Sequence, residues 1–565
     1  METGARIYFE AFDETAARDA AFSSLGQSWV DYGELTDGMY PDDPNEDPGN
    51  PTLRQYVTGE QDAVRLDKGF RLFPDAPGLY MGYWSAALSE ADGGFSAPPV
   101  LLCDFGGALH TSVGITLHFD VSTHLSDFTV QWFGADGAAL AAKEVTGNTA
   151  RTVFVEQHVE DYAQVRILCQ KTDAPFRYVK IQEIEFGERM VYDNSTLVSA
   201  SVTEEVDLSG ASVPAGSLRF TLLDPDGRLD PVNPTGIYAY LRRGMRLHVD
   251  FLLDGASSPG GLYYLDAWEC SNPGAASMTA LDIVGIYAKQ VESPFYNQKS
   301  PQDILGDIGA ELGVDTAAYG LPVSSLTGYI PAVSLQEALA HLCVSAGGFA
   351  HVGRGGVLSI DTPSISPEAF AQGEVLGEPS VSRMDQPDAI ELEVYRYSVS
   401  ESWEGMGYGA ASTLGGFRLV EEYPFLNGAL GTEAGVRLSE GAASFRVYSD
   451  RVSVSYESAG AMSCDYRPVT LDGTSMLRDG GDGTETIALQ GIPLITQSNA
   501  QAVMTAMKAY YGHSLRLKFR TPWRDGLDCG ACVSVPTRFG NLTGHVTKLD
   551  IDLTGGLLAA VEVLA

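Results

Sequence analysis

The chain has 565 residues, which is enough for about four domains of ordinary size. It carries 36 Lys and Arg residues against 74 Asp and Glu residues, and the formal net charge of −38 argues against specific binding to a phosphate backbone. Hydrophobic residues make up 44% of the chain and glycine occurs 62 times, a composition typical of a globular, turn-rich, mainly β protein. The same negative charge would let DNA pass along the protein without binding to it.

The seven cysteines are odd in number and widely spaced, which argues against a disulfide framework and indicates a reducing compartment. The first residues contain neither a basic region nor an apolar core, so we expect no signal peptide. No stretch approaches 18 uncharged apolar residues, so we expect no membrane span. A protein of this kind would leave its cell through lysis or as part of a particle.

Residues 1–45 are predicted to form a strand and a helix, followed by an acidic linker. The strand candidate is Arg6–Phe9, and a helix-like pattern covers Asp13–Ser24. The linker, Met39–Pro51, is rich in proline and acidic residues, and this composition disfavours packed structure. Because a single strand needs a partner sheet, we expect this segment to contribute its strand to a β-domain predicted at 191–295.

Residues 46–190 are predicted to form a β-sandwich. Short strands such as Ile115–Phe119 and Phe128–Trp132 alternate apolar with polar residues, and turn signals separate them. Several blocks resemble a galactose-binding-like jelly-roll sandwich; they are Gly82–Ser85, Ser89–Phe95, a strand that ends at Phe119, and Glu185–Gly187. That fold often binds sugars, but it also serves as a spacer.

Three residues of this sandwich are candidate carbohydrate contacts: Tyr83, Trp84 and Asp92. Aromatic faces stack on sugar rings, and carboxylates accept hydrogen bonds from sugar hydroxyls. Because Tyr83 and Trp84 are adjacent, one ring is expected to point into the core and the other outward. Trp132 could extend such a platform, but it shares a strand face with Phe128, which favours a place in the core.

Residues 191–295 are predicted to form a β-meander, the first of two β-domains. Leu218–Leu222 and Met245–Phe251 alternate apolar with polar residues, as half-buried antiparallel strands do. The acids Asp224, Asp226 and Asp230 loosely match a calcium loop, but the third early acid and the Glu at the twelfth position are missing. We therefore interpret them as a turn held by Asx hydrogen bonds.

Residues 296–365 are predicted to form a small α/β segment. Ser300 caps a first helix, and Ser334 with Glu337 forms a capping box for a second. A hairpin follows, with strands Phe349–Val352 and Val357–Ile360.

Residues 366–565 are predicted to form the second β-domain, with one helix at 498–513. Ser498 and Gln501 have the spacing of a capping box at the start of this helix. The chain ends in strands that continue to a turn at Asp552–Gly556.

No catalytic motif is present, and we predict no catalytic residue, cofactor or metal site. The sequence contains no HExxH, GxxxxGK[ST] or GxSxG motif. Cys529 and Cys532 form a CxxC pair, but a strand-like segment follows it and no second ligand pair exists, so we predict neither redox nor zinc chemistry.

The order of these blocks resembles phage tail hub proteins, also known as baseplate hub or tail-associated proteins. No single motif carries the resemblance. The matching blocks are the meander with its Asp-Gly turn, Ile304-Leu305, Gly328–Pro331, Glu337–Leu339, the hairpin ending in Leu358–Ile360, the Pro-Leu-Ile segment before a helix with Tyr510-Tyr511, and the Asp552–Gly556 turn.

The resemblance implies a mainly β, multidomain protein: the jelly-roll sandwich plus two barrel-like hub domains separated by the small α/β segment. It implies a homotrimer whose paired domains form a pseudo-sixfold ring. Such a ring adapts a sixfold tail tube to a threefold tip, closes or gates the lumen and anchors host-recognition components. The implied partners are the tail tube, distal tail and tip or receptor-binding proteins, with DNA passing through the lumen. The implied location is the virion or prophage tail, after assembly in the bacterial cytoplasm.

Two other functions remain open. Residues 46–190 could make the protein a carbohydrate-binding host adhesin. Members of the resembling family often carry a cell-wall hydrolase after the hub, so a cell-wall-degrading tail enzyme is the second alternative, although this chain stops at the closing turn and we predict no enzyme. Polar side chains that converged in a deep pocket between the two β-domains would count against the hub interpretation.

Overall fold

The computed structural model describes most of the chain: residues 3–25, 28–30, 35–36, 82–120, 123–233, 237–238, 241–253, 256–272, 274–406, 410–411, 419–431, 437–438, 444–456, 460–461, 464–481, 483 and 485–565. The chain divides into two compact units. The sandwich unit contains 8–191 and 225–245, and the large-sheet unit contains 1–7, 192–224 and 246–565. Strands predominate in both, which confirms a mainly β, multidomain fold. The predicted linker Met39–Pro51 lies outside the described residues.

The first elements extend from the N-terminal strand to the end of the sandwich. In chain order they are β1 (Thr3–Phe12), α1 (Glu14–Asp19), β2 (Ala21–Leu25), β3 (Ser28–Val30), β4 (Tyr83–Leu88), β5 (Val100–Asp104), β6 (His110–Phe119), β7 (Leu125–Phe133), β8 (Ala139–Val145), β9 (Thr152–Tyr162), β10 (Gln164–Thr172), β11 (Tyr178–Glu185) and β12 (Gly187–Tyr192).

The sandwich consists of two five-stranded sheets, with orders β2-β5-β10-β7-β8 and β3-β4-β11-β6-β9. Alternate residues of both sheets form one core. Phe128, Val130 and Trp132 are fully buried in it, as the alternation along β7 predicts. The buried aromatic side chains give this core a large apolar area, which is its main source of stability.

The predicted helix Asp13–Ser24 is wrong in its second half. The helix ends at Asp19, and residues 21–25 form β2, which pairs with β5. Asp13 caps the helix, since its Oδ1 accepts hydrogen bonds from the amides of Thr15 (2.9 Å) and Ala16 (3.2 Å). The helical pattern continues into β2, but the backbone bonds offered by β5 prevail over it.

The next elements build the first β-region and the α/β segment. They are β13 (Leu197–Glu205), β14 (Ser217–Leu223), β15 (Arg246–Leu253), β16 (Ala256–Asn272), β17 (Ala275–Leu281), α2 (Ile283–Ile286), β18 (Gln290–Val291), β19 (Tyr296–Lys299), α3 (Pro301–Leu312), β20 (Thr316–Ala318), β21 (Leu326–Gly328), β22 (Val333–Ser334), α4 (Leu335–Ala346), β23 (Phe349–Val352) and β24 (Leu358–Asp361).

The remaining elements belong to the second β-region. They are β25 (Glu368–Ala369), β26 (Ser380–Arg383), β27 (Ala389–Val399), β28 (Glu404–Met406), β29 (Ala410–Ala411), β30 (Leu419–Pro424), β31 (Arg437–Leu438), β32 (Ser444–Val447), β33 (Arg451–Tyr456), β34 (Gly460–Ala461), β35 (Cys464–Tyr466), β36 (Val469–Gly480), β37 (Thr486–Leu489), α5 (Ala500–Tyr511), β38 (Leu515–Pro522), β39 (Cys532–Thr537), β40 (Gly540–Asp552) and β41 (Leu558–Leu564).

One large sheet contains strands from both predicted hub domains. From β1 its order is β1-β15-β16-β17-β14-β13-β40-β41-β38-β26, and β39 pairs with β40 beside this path. The two β-regions are therefore joined by backbone hydrogen bonds between β13 and β40, not merely connected by the chain. The N-terminal strand β1 is next to β15, and Arg6 Nη2 is 3.5 Å from Asp250 Oδ2.

The α/β segment forms around helices α3 and α4, and both start where the sequence predicts. Ser300 Oγ accepts from the amide of Asp303 at 3.1 Å, and Ser334 with Glu337 forms the predicted capping box. Gly347 ends α4 in the left-handed conformation at φ 77°. The predicted hairpin is present as β23 and β24.

The predicted capping box of the last helix is wrong. Helix α5 starts at Ala500 with Asn499 as its N-cap, and no side-chain cap bond is formed. Instead, Asn499 Oδ1 accepts from the amide of Thr496 at 2.7 Å, and Asn499 Nδ2 donates to the carbonyl oxygens of Ser345 (2.9 Å) and Leu494 (3.1 Å). The asparagine thus links α5 to the end of α4. In the described parts of the chain, no helix is long and apolar enough to cross a membrane.

Candidate functional site: a polar cavity in the large-sheet unit

The large-sheet unit contains a cavity of about 330 Å³. Parts of the first β-region, the α/β hairpin and the second β-region all line it. They include Glu204 from β13, Tyr263 from β16, Arg354 from the β23–β24 turn and Asp528 from the loop before β39. Polar side chains therefore do converge between the two β-regions, which is the arrangement expected to count against a hub, and their chemistry decides what the cavity can do.

Arg354 connects the three parts of the wall. Its Nε and Nη2 donate to the two carboxylate oxygens of Glu204 at 2.8 and 2.9 Å, and its Nη1 is 2.7 Å from Asp528 Oδ1. Nη2 also donates to the carbonyl oxygen of Leu527 at 2.9 Å. Burial opposes the charge on Arg354, but Glu204 and Asp528 outweigh it and raise the pKa of the guanidinium. The arginine thus stays charged and is neutralised by its partners.

Two aromatic rings cover this ion pair. The guanidinium carbon of Arg354 is 5.5 Å from the centroid of Phe251 and 5.4 Å from that of Trp523. The two rings also pack edge to face, with centroids 4.6 Å apart. Cation–π contacts of this kind stabilise an arginine that has lost part of its hydration shell.

Asp282 lies at the base of the cavity wall and caps the short helix α2. Its Oδ1 accepts from the amide of Gly285 at 3.0 Å, and its Oδ2 accepts from the amide of Gly216 at 2.6 Å. Burial raises the pKa of this carboxyl group to about 6, and hydrogen bonds from the backbone amides of Gly216, Gly285 and Val284 oppose the shift only in part.

The other potentially reactive groups of the wall are held in unreactive states. Burial, followed by the nearby carboxylate of Glu204, raises the pKa of the Cys529 thiol well above its ordinary value, so the thiol is protonated at neutral pH. His351 Nε2 is 2.7 Å from Asp361 Oδ2, which fixes the ring. The Cys529 thiol is therefore not an activated nucleophile at neutral pH.

The CxxC pair has the local structure that its sequence predicts. Cys529 lies in a turn and Cys532 begins β39, so a strand and not a helix follows the pair. Both thiols are free. Among the described residues, no group of three His, Cys, Asp or Glu side chains could hold a metal ion.

The three candidate carbohydrate contacts do not share one exposed surface, because two are buried and one is exposed. Tyr83 and Trp84 are each 1% exposed, so the expected alternation of one inward and one outward ring does not occur. Tyr83 belongs to the sandwich core, and the ammonium group of Lys180 lies 4.5 Å above the ring of Trp84. Asp92 is exposed, and its Oδ1 accepts from the amide of Gly94 at 2.9 Å. Carbohydrate binding by this sandwich stays a prediction, and it would need faces other than these two rings.

The acidic turn after β14 agrees with the Asx interpretation. Asp230 Oδ1 accepts from the amide of Val232 at 2.9 Å, and Asn233 Nδ2 donates to the carbonyl oxygen of Gly227 at 2.8 Å. Gly227 has a φ of 64°, a conformation that favours glycine.

No sequence pattern identified the residues of this cavity as a site. Glu204 and Arg354 are 150 residues apart, and neither belongs to a recognisable motif. The only local signal is an arginine between glycines in a hairpin turn, Gly353-Arg354-Gly355-Gly356. That pattern shows that the arginine can reach away from the turn, but not which carboxylate it reaches.

Several solved structures are similar to this chain. The sequence matches no protein-family model and has no significant match among curated proteins. The chain is similar over 66% of its length to the 43 kDa tail protein of prophage MuSo2 from Shewanella oneidensis, covering 94% of that chain, with 11% identity and a TM-score of 0.38.

Two further solved structures are similar to this chain. A tail protein from Neisseria meningitidis is similar over 67% of this chain and 94% of its own, with 10% identity and a TM-score of 0.37. A type VI secretion system component from E. coli is similar over 65% of this chain and 73% of its own, with 8% identity and a TM-score of 0.32. The similar structures named here are thus a prophage tail protein, a further tail protein and a component of a type VI secretion system.

Proposed function

We propose that this chain is a structural hub at the distal end of a phage or prophage tail, or of a related injection device. In this role three copies form a ring that adapts a sixfold tube to a threefold tip, closes or gates the lumen and anchors host-recognition components. The order of the sequence blocks is the starting point of the proposal, and the construction of the large sheet gives a physical reason for a mechanical role.

The observation that carries the proposal is the pairing of β13 with β40. Five consecutive residue pairs join the strands, from Ser201↔Asp552 to Glu205↔Lys548. Side chains reinforce the pairing: Thr203 Oγ1 donates to Asp550 Oδ1 at 2.7 Å, and Lys548 Nζ donates to Glu205 Oε2 at 2.9 Å. A force on one β-region is therefore transmitted to the other through a hydrogen-bonded ladder and not through a flexible linker.

The chemistry of the cavity supports a role without catalysis. Arg354 is neutralised by Glu204 and Asp528, and the Cys529 thiol is protonated. The net charge of −38 suits a lumen through which DNA passes without binding. We therefore propose the tail tube, distal tail and tip proteins as partners, and the virion tail as the location of the assembled protein.

Solution mass and particle labelling test the proposal together. Light scattering over a range of concentrations should detect a trimer of three 60.4 kDa chains, about 181 kDa. Antibodies against the full chain should label the distal end of tails in electron micrographs of particles released from the source bacterium. Label on the capsid, or on no particle that contains the protein, would contradict a tail hub.

The two alternatives are tested on the same full-length protein. A glycan array would detect an adhesin that acts through residues 46–190, whereas a spacer gives no signal. Peptidoglycan zymography would detect a cell-wall-degrading enzyme, and lysis that a single carboxylate variant abolishes would replace the hub proposal.

A further inference from the structure

We propose that the cavity of the large-sheet unit binds a protonated alkylamine, supplied either by a small diamine or by the lysine side chain of a partner protein. The first observation is the Tyr263 hydroxyl. Tyr263 lines the cavity, is 4% exposed, and its hydroxyl forms no hydrogen bond with any residue that the structure describes. The hydroxyl oxygen keeps some exposure to the cavity and is therefore available to hydrogen-bond to a ligand there.

The hydroxyl lies at the cavity wall next to Gly261. A methyl group in the Cβ position of Gly261 would be 2.8 Å from the Tyr263 oxygen, and Gly261 also lines the cavity. The absence of a side chain at Gly261 therefore lets the Tyr263 ring pack against the backbone of the cavity wall. Phenol oxygens accept hydrogen bonds from ammonium groups, so an amine nitrogen suits this position.

The charges of the wall favour a cation. Five carboxylates line the cavity, at Glu204, Glu205, Asp282, Asp525 and Asp528. Arg354 neutralises Glu204 and Asp528, Lys548 Nζ is 2.9 Å from Glu205 Oε2, and the His351 imidazole pairs with Asp361. Asp282 and Asp525 are the wall carboxylates that form no ion pair with the residues that the structure describes. A cation entering this space meets a negative potential, whereas an anion finds no uncompensated positive group.

Asp282 supplies the charged contact. Each of its oxygens accepts one backbone hydrogen bond and keeps a second lone pair for a ligand. Its raised pKa shows that the ionised form is poorly solvated in the absence of a counter-charge. An ammonium group beside it would offset this desolvation.

The apolar part of the wall suits an alkyl chain. Pro214, Pro259, Leu262 and Val352 contribute to the same cavity as the carboxylates. Aliphatic stems of amines pack against such surfaces while the charged head binds to acids. A volume of about 330 Å³ is at the lower end of small-molecule sites, which fits a four-carbon diamine or one lysine side chain.

Calorimetric titration of the full-length protein tests the proposal. The probes are putrescine and Nα-acetyl-lysine amide, with butanediol as an uncharged compound of similar length. We expect saturable binding of one amine per chain at millimolar concentration and no binding of butanediol. Tighter binding of putrescine indicates a small-molecule ligand, and tighter binding of the lysine derivative indicates a partner's side chain.

Two variants locate the binding in this cavity. Tyr263→Phe removes only the hydroxyl and should weaken binding about tenfold, the effect of one hydrogen bond to a charged group. Asp282→Asn should weaken it at least as much. The matched controls are Tyr319→Phe and Glu401→Gln, which change exposed residues outside the cavity and should leave the affinity unchanged.

Three outcomes would overturn the proposal: no binding of either amine, equal binding of butanediol, or unchanged affinity in Tyr263→Phe. Because Asp282 also caps α2, thermal unfolding of Asp282→Asn is measured first. If that variant does not fold, the affinity of Tyr263→Phe alone tests whether the amine binds in this cavity, because this variant preserves the ring and its packing.

Discussion

Arg354 illustrates how a single residue holds distant parts of this chain together. It forms charged hydrogen bonds with Glu204 of the first β-region and Asp528 of the second, from a turn of the α/β segment. The cost of removing its hydration shell is offset only while both partners remain in place. The residue is therefore expected to matter more for stability than an ordinary surface arginine.

Replacing Arg354 by Met should lower the free energy of unfolding by about 1–3 kcal/mol, because Glu204, whose side chain is 18% exposed, is left without its counter-charge. Denaturant unfolding measures this change. Arg538→Met is the matched control, since Arg538 is exposed and contacts only the ring of Phe539 among its recorded partners, and its effect should be below about 0.5 kcal/mol. Adding Glu204→Gln to Arg354→Met should recover part of the lost stability. If Arg354→Met lowered stability no more than Arg538→Met does, the role assigned to Arg354 would be contradicted.

Asp282 should give the protein a measurable pH dependence. Burial raises its pKa from 3.8 to about 6, so the folded state binds a proton more tightly than the unfolded state does. The stability contributed by this proton is fully present below pH 3.8 and is lost as the pH rises through about 6, a change of about 3 kcal/mol.

The comparison of the unchanged protein with Asp282→Asn isolates this contribution. The asparagine does not titrate. Between pH 4 and pH 8 the unfolding free energy of the unchanged protein should therefore fall, relative to that of Asp282→Asn, by about 2 kcal/mol. Denaturant unfolding at several pH values measures it. A difference that stays constant over this range would show that the carboxyl group titrates normally.

At the scale of elements, the starts of some helices are set by neighbouring residues and the start of another is set by tertiary contacts. Ser300 and Ser334 cap their helices through bonds to amides three residues away, and the sequence predicts both. Helix α5 differs, because its start is fixed by Asn499, which contacts the end of α4 and not its own first turn. A capping motif at Ser498 is present in the sequence but is not used.

Asn499→Ala should therefore lower the free energy of unfolding by about 2–3 kcal/mol, since it removes three buried hydrogen bonds and leaves their partners unsatisfied. Ser498→Ala should change it by less than about 0.5 kcal/mol, because Ser498 is exposed and bonds only to the hydroxyl of Thr496. Thermal or denaturant unfolding distinguishes the two variants. The reverse order of effects would restore Ser498 as the cap.

At the scale of the whole chain, the large sheet spans the predicted boundary between the two β-domains. The β-regions predicted at 191–295 and 366–565 exchange backbone hydrogen bonds through β13 and β40. Each region taken alone would expose a strand edge that is paired in the full protein, and unpaired edges promote aggregation.

A fragment of residues 191–295 should consequently fail to fold, whereas residues 191–565 should unfold cooperatively. Both fragments lack β1, but the shorter one also lacks β40 beside β13 and the α/β segment. Circular dichroism during thermal unfolding compares the two fragments. A cooperative transition in the shorter one would show that the first β-region is an independent domain.

The sequence by itself determined the features that depend on neighbouring residues. Alternation placed Phe128, Val130 and Trp132 in the core, and short-range capping fixed the starts of α3 and α4. These features are decided over four residues or fewer, because strand periodicity and cap hydrogen bonds operate at that distance.

The tertiary structure alone decided the features that need two distant segments. The pairing of β2 with β5 ended the first helix early, and packing of Lys180 over Trp84 buried a ring that alternation would have exposed. The cavity depends on Arg354 meeting Glu204, 150 residues away, and the large sheet joins Thr203 to Asp550, 347 residues apart. Charge and periodicity show that a buried arginine needs a carboxylate and that a strand edge needs a neighbouring strand. They do not show which carboxylate or strand it will be, because an acidic β protein offers many of both. Only the folded chain makes that selection.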